Sequence, residues 1–221
     1  MPSVDVPSLV ISLIAVAISA YGIGERRFEI RQAERLRFAT IIDELNSLHL
    51  QHLQATADLT DGDITDAVNG RRELLASQGH AMLKKLRNGV TSPELRTLAH
   101  ALVRAGYPVE AGATWELAVR TASGEGRTQS LFAHRGRAYY LFDQGHVVRA
   151  RTSMRQAIEA IGSADDASII HQIKTLKYWS EAELREDPAA PQAAALLDEA
   201  RQAVTTLAGA HAQRLMRDFL A

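Results

Sequence analysis

The residue types able to do chemistry are few and scattered. His49 and His52 stand three apart, which places two imidazoles on one face of a helix and within reach of one metal ion. Asp43 and Glu44 precede them by one to two turns, but no third histidine follows at a fixed spacing, and one helix seldom completes a site alone. Asp58, Asp61, Asp63 and Asp66 crowd a single turn. An EF-hand loop beginning at Asp61 would need glycine sixth and glutamate twelfth. Those positions hold Asp66 and Arg72, so the run reads as a solvated turn with an aspartate helix cap. His100, His134, His146, His171 and His211 are dispersed. The chain has no cysteine, which excludes a thiolate nucleophile, a thiolate zinc site, an iron–sulfur cluster and a disulfide scaffold. No phosphate loop, G-x-S-x-G, H-E-x-x-H or dinucleotide glycine fingerprint occurs, and Gly124-Glu125-Gly126 reads as a turn. These observations predict no catalytic residue, no metal and no cofactor.

Charge is more informative than catalysis. The 221 residues carry a net charge of −1, with 46% hydrophobic and 23% charged residues, values of a globular chain with one or two domains. Arginine outnumbers lysine 21 to 4, a GC-rich bacterial coding bias rather than a chemical signal. Residues 38–70 hold 6 acids and no Lys or Arg, residues 71–155 hold 14 basic and 6 acidic groups, and residues 156–221 hold 6 basic and 10 acidic groups. The basic stretch has two readings. Acidic helices pack beside it and neutralise it, or it lines a binding groove. Nucleic acid is disfavoured, because aromatics are not regularly interleaved with the arginines. Anionic lipid of the inner leaflet is a further attractor for such a face.

The elements that must position these groups begin with residues 6–24, which are uncharged and dominated by Val, Ile and Leu. As a helix this run spans about 28 Å, close to the hydrocarbon thickness of a bilayer. It predicts a transmembrane anchor. A cleaved signal peptide is the nearest rival, but that would want a basic start and a shorter apolar core, and here only Asp5 precedes the run. Arg26, Arg27, Arg31, Arg35 and Arg37 follow it and no basic residue precedes it, so the N-terminus is expected outside and the bulk of the chain in the cytoplasm of a bacterial cell. Ser8, Ser12, Ala15, Ser19 and Gly22 form a small-residue stripe suited to self-association of the span.

Beyond the anchor, helical periodicity dominates and strand signals are weak. No Gly or Pro occurs over residues 25–57, and Ile41, Ile42, Leu45, Leu48 and Leu53 form an apolar stripe, so the anchor is expected to continue into a long juxtamembrane helix with a bend at Gly22 and Gly24. A second helix is expected over residues 64–87, ended by Asn88-Gly89. Ser92-Pro93 reads as a capping serine and a first-turn proline opening the next helix. Turns at 106–108, 123–126, 144–145, 162–163 and 187–188 then divide the chain into three helical hairpins. Expected domains are 1–24, 25–91 and 92–221.

Each second helix repeats a small–large–small pattern: Ala111, Trp115, Ala118; Ala150, Met154, Ala157; Ala193, Leu197, Ala200. With Gly136-Arg137-Ala138-Tyr139 and the stretch 106–119, GYPVEAGATWELAV, this resembles the tetratricopeptide repeat. The offsets between matching alanines are 39 and 43 residues, longer than the 34 of the family, and the third hairpin lacks a clear Gly-x-x-Tyr. The resemblance implies an all-α fold ending in a short solenoid of antiparallel helical hairpins, used as a membrane-anchored scaffold or adaptor. The family's first-helix offsets select Arg96, His100 and Arg104, then Phe132, Arg135, Tyr139 and Phe142, then Tyr178 and Trp179. Of these, Arg96, His100, Arg104, Arg135, Tyr139 and Tyr178 are the candidate partner-binding residues, suited to an extended acidic segment of a protein partner. Phe132, Phe142 and Tyr139 have core filling as their alternative. Trp115 is expected in the core. Two other function classes stay open: a membrane-tethered effector or enzyme without a recognisable motif, and a structural homo-oligomer assembled by the span.

Overall fold

Glycine and proline punctuate a chain whose intervening runs are all compatible with helix. The computed structural model, which describes residues 6–57, 62–86, 89–162 and 165–221, follows that punctuation. Among the described residues there are nine helices and no strand. They divide into two compact units on either side of the Gly89–Val90 bond.

The first unit holds α1 (Val6–Ala57) and α2 (Gly62–Leu83). α1 runs through Gly22 and Gly24 without interruption, so the expected bend does not break the helix. Phe38, Ile41, Ile42, Leu45 and Leu48 are buried at the three- and four-residue steps of one helix stripe. Val68, Leu75 and Ala76 are buried hydrophobic positions of α2, which packs on α1. Leu53, expected on the α1 stripe, is half exposed instead. Among the described residues no helix is long and apolar enough to cross a membrane. The span expected over residues 6–24, and its small-residue stripe, concern side chains outside the described residues.

The second unit holds α3 (Ser92–Arg104), α4 (Pro108–Glu125), α5 (Arg127–Asp143), α6 (Val147–Glu159), α7 (Asp166–Glu186), α8 (Pro191–Thr205) and α9 (Ala210–Leu220). α3 packs on α4, α5 on α6 and α7 on α8. α3 touches α5, and α5 touches α7, so the first helices of the three pairs are neighbours. The cap of α3 is Thr91, not the expected Ser92. The Glu94 carboxylate accepts from the Thr91 backbone N–H and hydroxyl, both at 2.8 Å. Ser92 lies one residue inside the helix, buried, its N–H donating to the Glu125 carboxylate at 3.0 Å. Between α4 and α5 the expected four-residue turn shrinks to Gly126 alone, at φ 115°.

Two turns share one geometry. Gly106 sits at φ 79°, with Tyr107 N–H donating to Leu102 C=O at 2.9 Å. Gly145 sits at φ 71°, with His146 N–H donating to Leu141 C=O at 2.8 Å. This is the glycine C-terminal closure of a helix. The two turns lie 39 residues apart, the same offset as Ala111 to Ala150 and Trp115 to Met154. The third turn has no glycine and is closed by Asp187, whose carbonyl and carboxylate accept from Ala190 and Ala189.

Ala111, Trp115, Ala118, Ala150, Met154 and Ala157 are all essentially without solvent exposure. The third motif slips by one residue. Leu196 is the buried bulky side chain, and Leu197 is only partly buried against the core. α9, which the hairpin pattern did not anticipate, buries Met216 and Leu220 in the same core.

Candidate partner-binding surface

The first helices of the pairs, α3, α5 and α7, carry the candidate groove residues. Three- and four-residue spacing places Phe132, Arg135 and Tyr139 on one face of α5, and Tyr178 on the adjoining face of α7. The guanidinium of Arg96 lies 5.1 Å from the Phe132 ring centroid, and that of Arg135 lies 5.0 Å from the same ring. Arg135 also lies 5.7 Å from the Tyr178 ring. Tyr139 meets Tyr178 edge to face at 6.5 Å. A strip of alternating cations and rings therefore runs across three helices, each contact of the cation–π or aromatic type.

Four of the six candidates, Arg96, Arg135, Tyr139 and Tyr178, are brought together in this way. Phe132 joins them as the ring both arginines share. His100 and Arg104 lie further along α3 and are exposed, His100 turning its ring edge-on to Trp115 at 4.8 Å. Two groove expectations are corrected. Phe142 is 2% exposed and belongs to the core. Trp179 is 7% exposed and its indole N–H donates to Glu183 at 2.8 Å. Trp115, 1% exposed, is the core residue it was expected to be.

The basic stretch divides between both of its readings. Arg137 and Arg149 share Glu116, at 2.7 and 3.4 Å. Arg151 grips Glu183 with two hydrogen bonds of 2.8 and 2.7 Å. Those three arginines are paired with acids of the same unit. Among the described residues, Arg96 hydrogen-bonds the neutral Gln129 amide, at 3.0 Å, and no acid. Arg135 makes no hydrogen bond or ion pair among the described residues, and its buried Nη1 has no acceptor. Burial, with Arg135 close by, holds the Arg96 guanidinium below its ordinary pKa, against a weaker opposing pull from Glu125. Burial, Arg135 and Lys174 likewise hold His171 low, and His171 meets Phe132 edge-on at 5.3 Å. A half-buried cation without a counter-charge is a costly arrangement, which an anionic ligand would relieve.

Three neighbours of the strip escaped the sequence reading. Glu181 and Arg185 lie three and seven residues after Tyr178, on its face of α7, and this spacing was the available signal. Phe219 of α9 stacks edge-on against Tyr178 at 5.9 Å, and Lys177 lies over the Phe219 ring while donating to its carbonyl. No sequence signal for that contact existed without α9 itself. No group of three or more His, Asp or Glu able to hold a metal occurs among the described residues. His49 is exposed on α1, and the side chain of His52 lies outside the described residues. The chain matches no protein-family model, no curated protein and no solved structure.

Proposed function

We propose that this chain is a membrane-anchored adaptor whose second unit is a short solenoid of tetratricopeptide-like hairpins, and that the strip on α3, α5 and α7 captures an extended acidic segment of a protein partner. The observation that carries the reading is Arg135, held between Phe132 and Tyr178 without an anion. Arginine pairs bidentately with carboxylates, and the flanking rings supply rigid apolar contact without large entropy loss. The 39-residue recurrence of the Gly106 and Gly145 turns, with neighbouring first helices, supports the repeat architecture. The uncharged run 6–24 followed by five arginines supports the tether and its cytoplasmic orientation.

The test is affinity capture from solubilised membranes, comparing the full chain with an Arg96→Glu, Arg104→Glu, Arg135→Glu variant whose helicity and melting are verified. Proteins enriched by the parent and lost by the folded variant are the expected outcome. An unchanged capture profile would remove the groove as the partner site.

A further inference from the structure

We infer that the cleft over Tyr139 and Tyr178 seats a dianionic oxyanion, a phosphomonoester carried on a side chain of the partner, with Arg135 and Arg185 as its cationic walls and the Tyr139 hydroxyl as an added donor. The inference rests on the groove reading above and names what that groove selects.

The cleft has a volume of about 500 Å³ and is lined by Arg135, Tyr139, Tyr178, Glu181 and Arg185. Its charge does not balance. Glu181 is the one acid of the lining, and its carboxylate faces Lys177 at 3.9 Å, which offsets its charge. Arg185 is exposed and, like Arg135, has no ion pair or hydrogen bond among the described residues. Two guanidinium charges thus remain over one opening. A carboxylate brings one negative charge, whereas a phosphomonoester brings nearly two near neutral pH, and three acceptor oxygens. The phosphomonoester therefore nearly balances both guanidinium charges and keeps an oxygen for the phenol, where a carboxylate would leave one positive charge over. Burial pushes the Tyr139 hydroxyl well above its ordinary pKa, so it stays a donor, and it has no partner among the described residues. The two rings, 71° apart, form an apolar floor for the stem that carries the phosphate. The volume exceeds what the anion alone would fill, leaving room for that stem.

Phenyl phosphate and phenyl sulfate present the same ring with two charges and with one. Calorimetric titration of the full chain in detergent micelles should show the phosphate binding about tenfold more tightly, about 1.4 kcal/mol. Arg185→Gln and Tyr139→Phe should each reduce that preference, and Arg155→Gln, exposed on α6, should leave it intact. Arg185 is exposed, so its variant tests binding without disturbing the core. Equal affinity for the two probes, or an Arg185→Gln variant that keeps the full preference, would overturn the inference. Its fate is separable from that of the adaptor. If phosphatase treatment of the membrane extract leaves capture intact while the triple arginine variant abolishes it, the adaptor stands and the phosphate seat falls. If the phosphate preference holds while capture ignores the triple variant, the seat stands and the adaptor falls.

Discussion

Arg135 and Arg151 lie 16 residues apart on consecutive helices and end in opposite electrostatic states. Arg151 crosses to α7 and meets Glu183, which is 1% exposed and also accepts from the Trp179 indole. Burial pushes the Glu183 carboxyl up, but the Arg151 and Trp179 hydrogen bonds outweigh it and hold the group below the ordinary carboxylate range. A carboxyl lowered in the folded state stabilises fully above its unfolded value, about 4.3, and that contribution is lost as pH falls through the folded value. Arg151→Met strands the buried carboxylate and should cost about 3 kcal/mol in urea unfolding at pH 7, near the lower end for a buried pair because Arg151 is a third exposed. The gap between parent and variant should narrow toward pH 4, where the variant's carboxyl takes up a proton. A gap independent of pH would mean that the pair acts through packing alone. Neither state was legible in the chain. Both arginines stand on helix faces of similar composition, and no periodicity links Arg151 to an acid 32 residues on.

At the scale of elements, α4 and α5 are held together by two reciprocal contacts between a ring and a glycine. A Cβ placed on Gly136 would lie 2.3 Å from the Trp115 indole, and one on Gly112 would lie 2.7 Å from the Tyr140 hydroxyl. That hydroxyl donates to the Pro108 carbonyl at 2.9 Å. Alanine is favoured over glycine in a helix by about 1 kcal/mol. Gly136→Ala should nonetheless destabilise by about 1–3 kcal/mol, because the indole is wedged against rigid neighbours. Trp115→Ala should cost about 3–5 kcal/mol. A Gly136→Ala variant that melts higher than the parent would show that the indole does not occupy this position. The alanine–bulky–alanine pattern was legible because close approach of helices needs small residues at fixed steps. Which glycine receives the indole was not, since that depends on how far α5 slides along α4. The slip from Leu197 to Leu196 in α8 has the same origin. The third turn lacks the glycine closure of the other two, so α8 enters in a different register.

At the scale of the molecule, the proposed tether is the reading with the widest consequences. The full chain should sediment with membranes and resist alkaline extraction, whereas a chain of residues 25–221 should stay in the supernatant. A reporter fused after Ala221 should be active only in the cytoplasm. Alkaline phosphatase activity from that fusion would reverse the orientation and place the arginine strip in a different compartment from the proposed partner. The sequence alone determined the all-α class, most helix boundaries and the core positions of two hairpins. Those depend on local steps of three and four residues and on glycine and proline, and both are written in consecutive positions. It also marked the basic stretch and the first helices that carry the strip. Only the tertiary structure decided which arginines are spent on internal acids and which face an open cleft. It also placed Phe142 and Trp179 in the core and added α9 against Tyr178. Those outcomes depend on the distance between residues 20 or more positions apart. That distance is set by the sliding and rotation of packed helices, which the periodicity within any one helix leaves free.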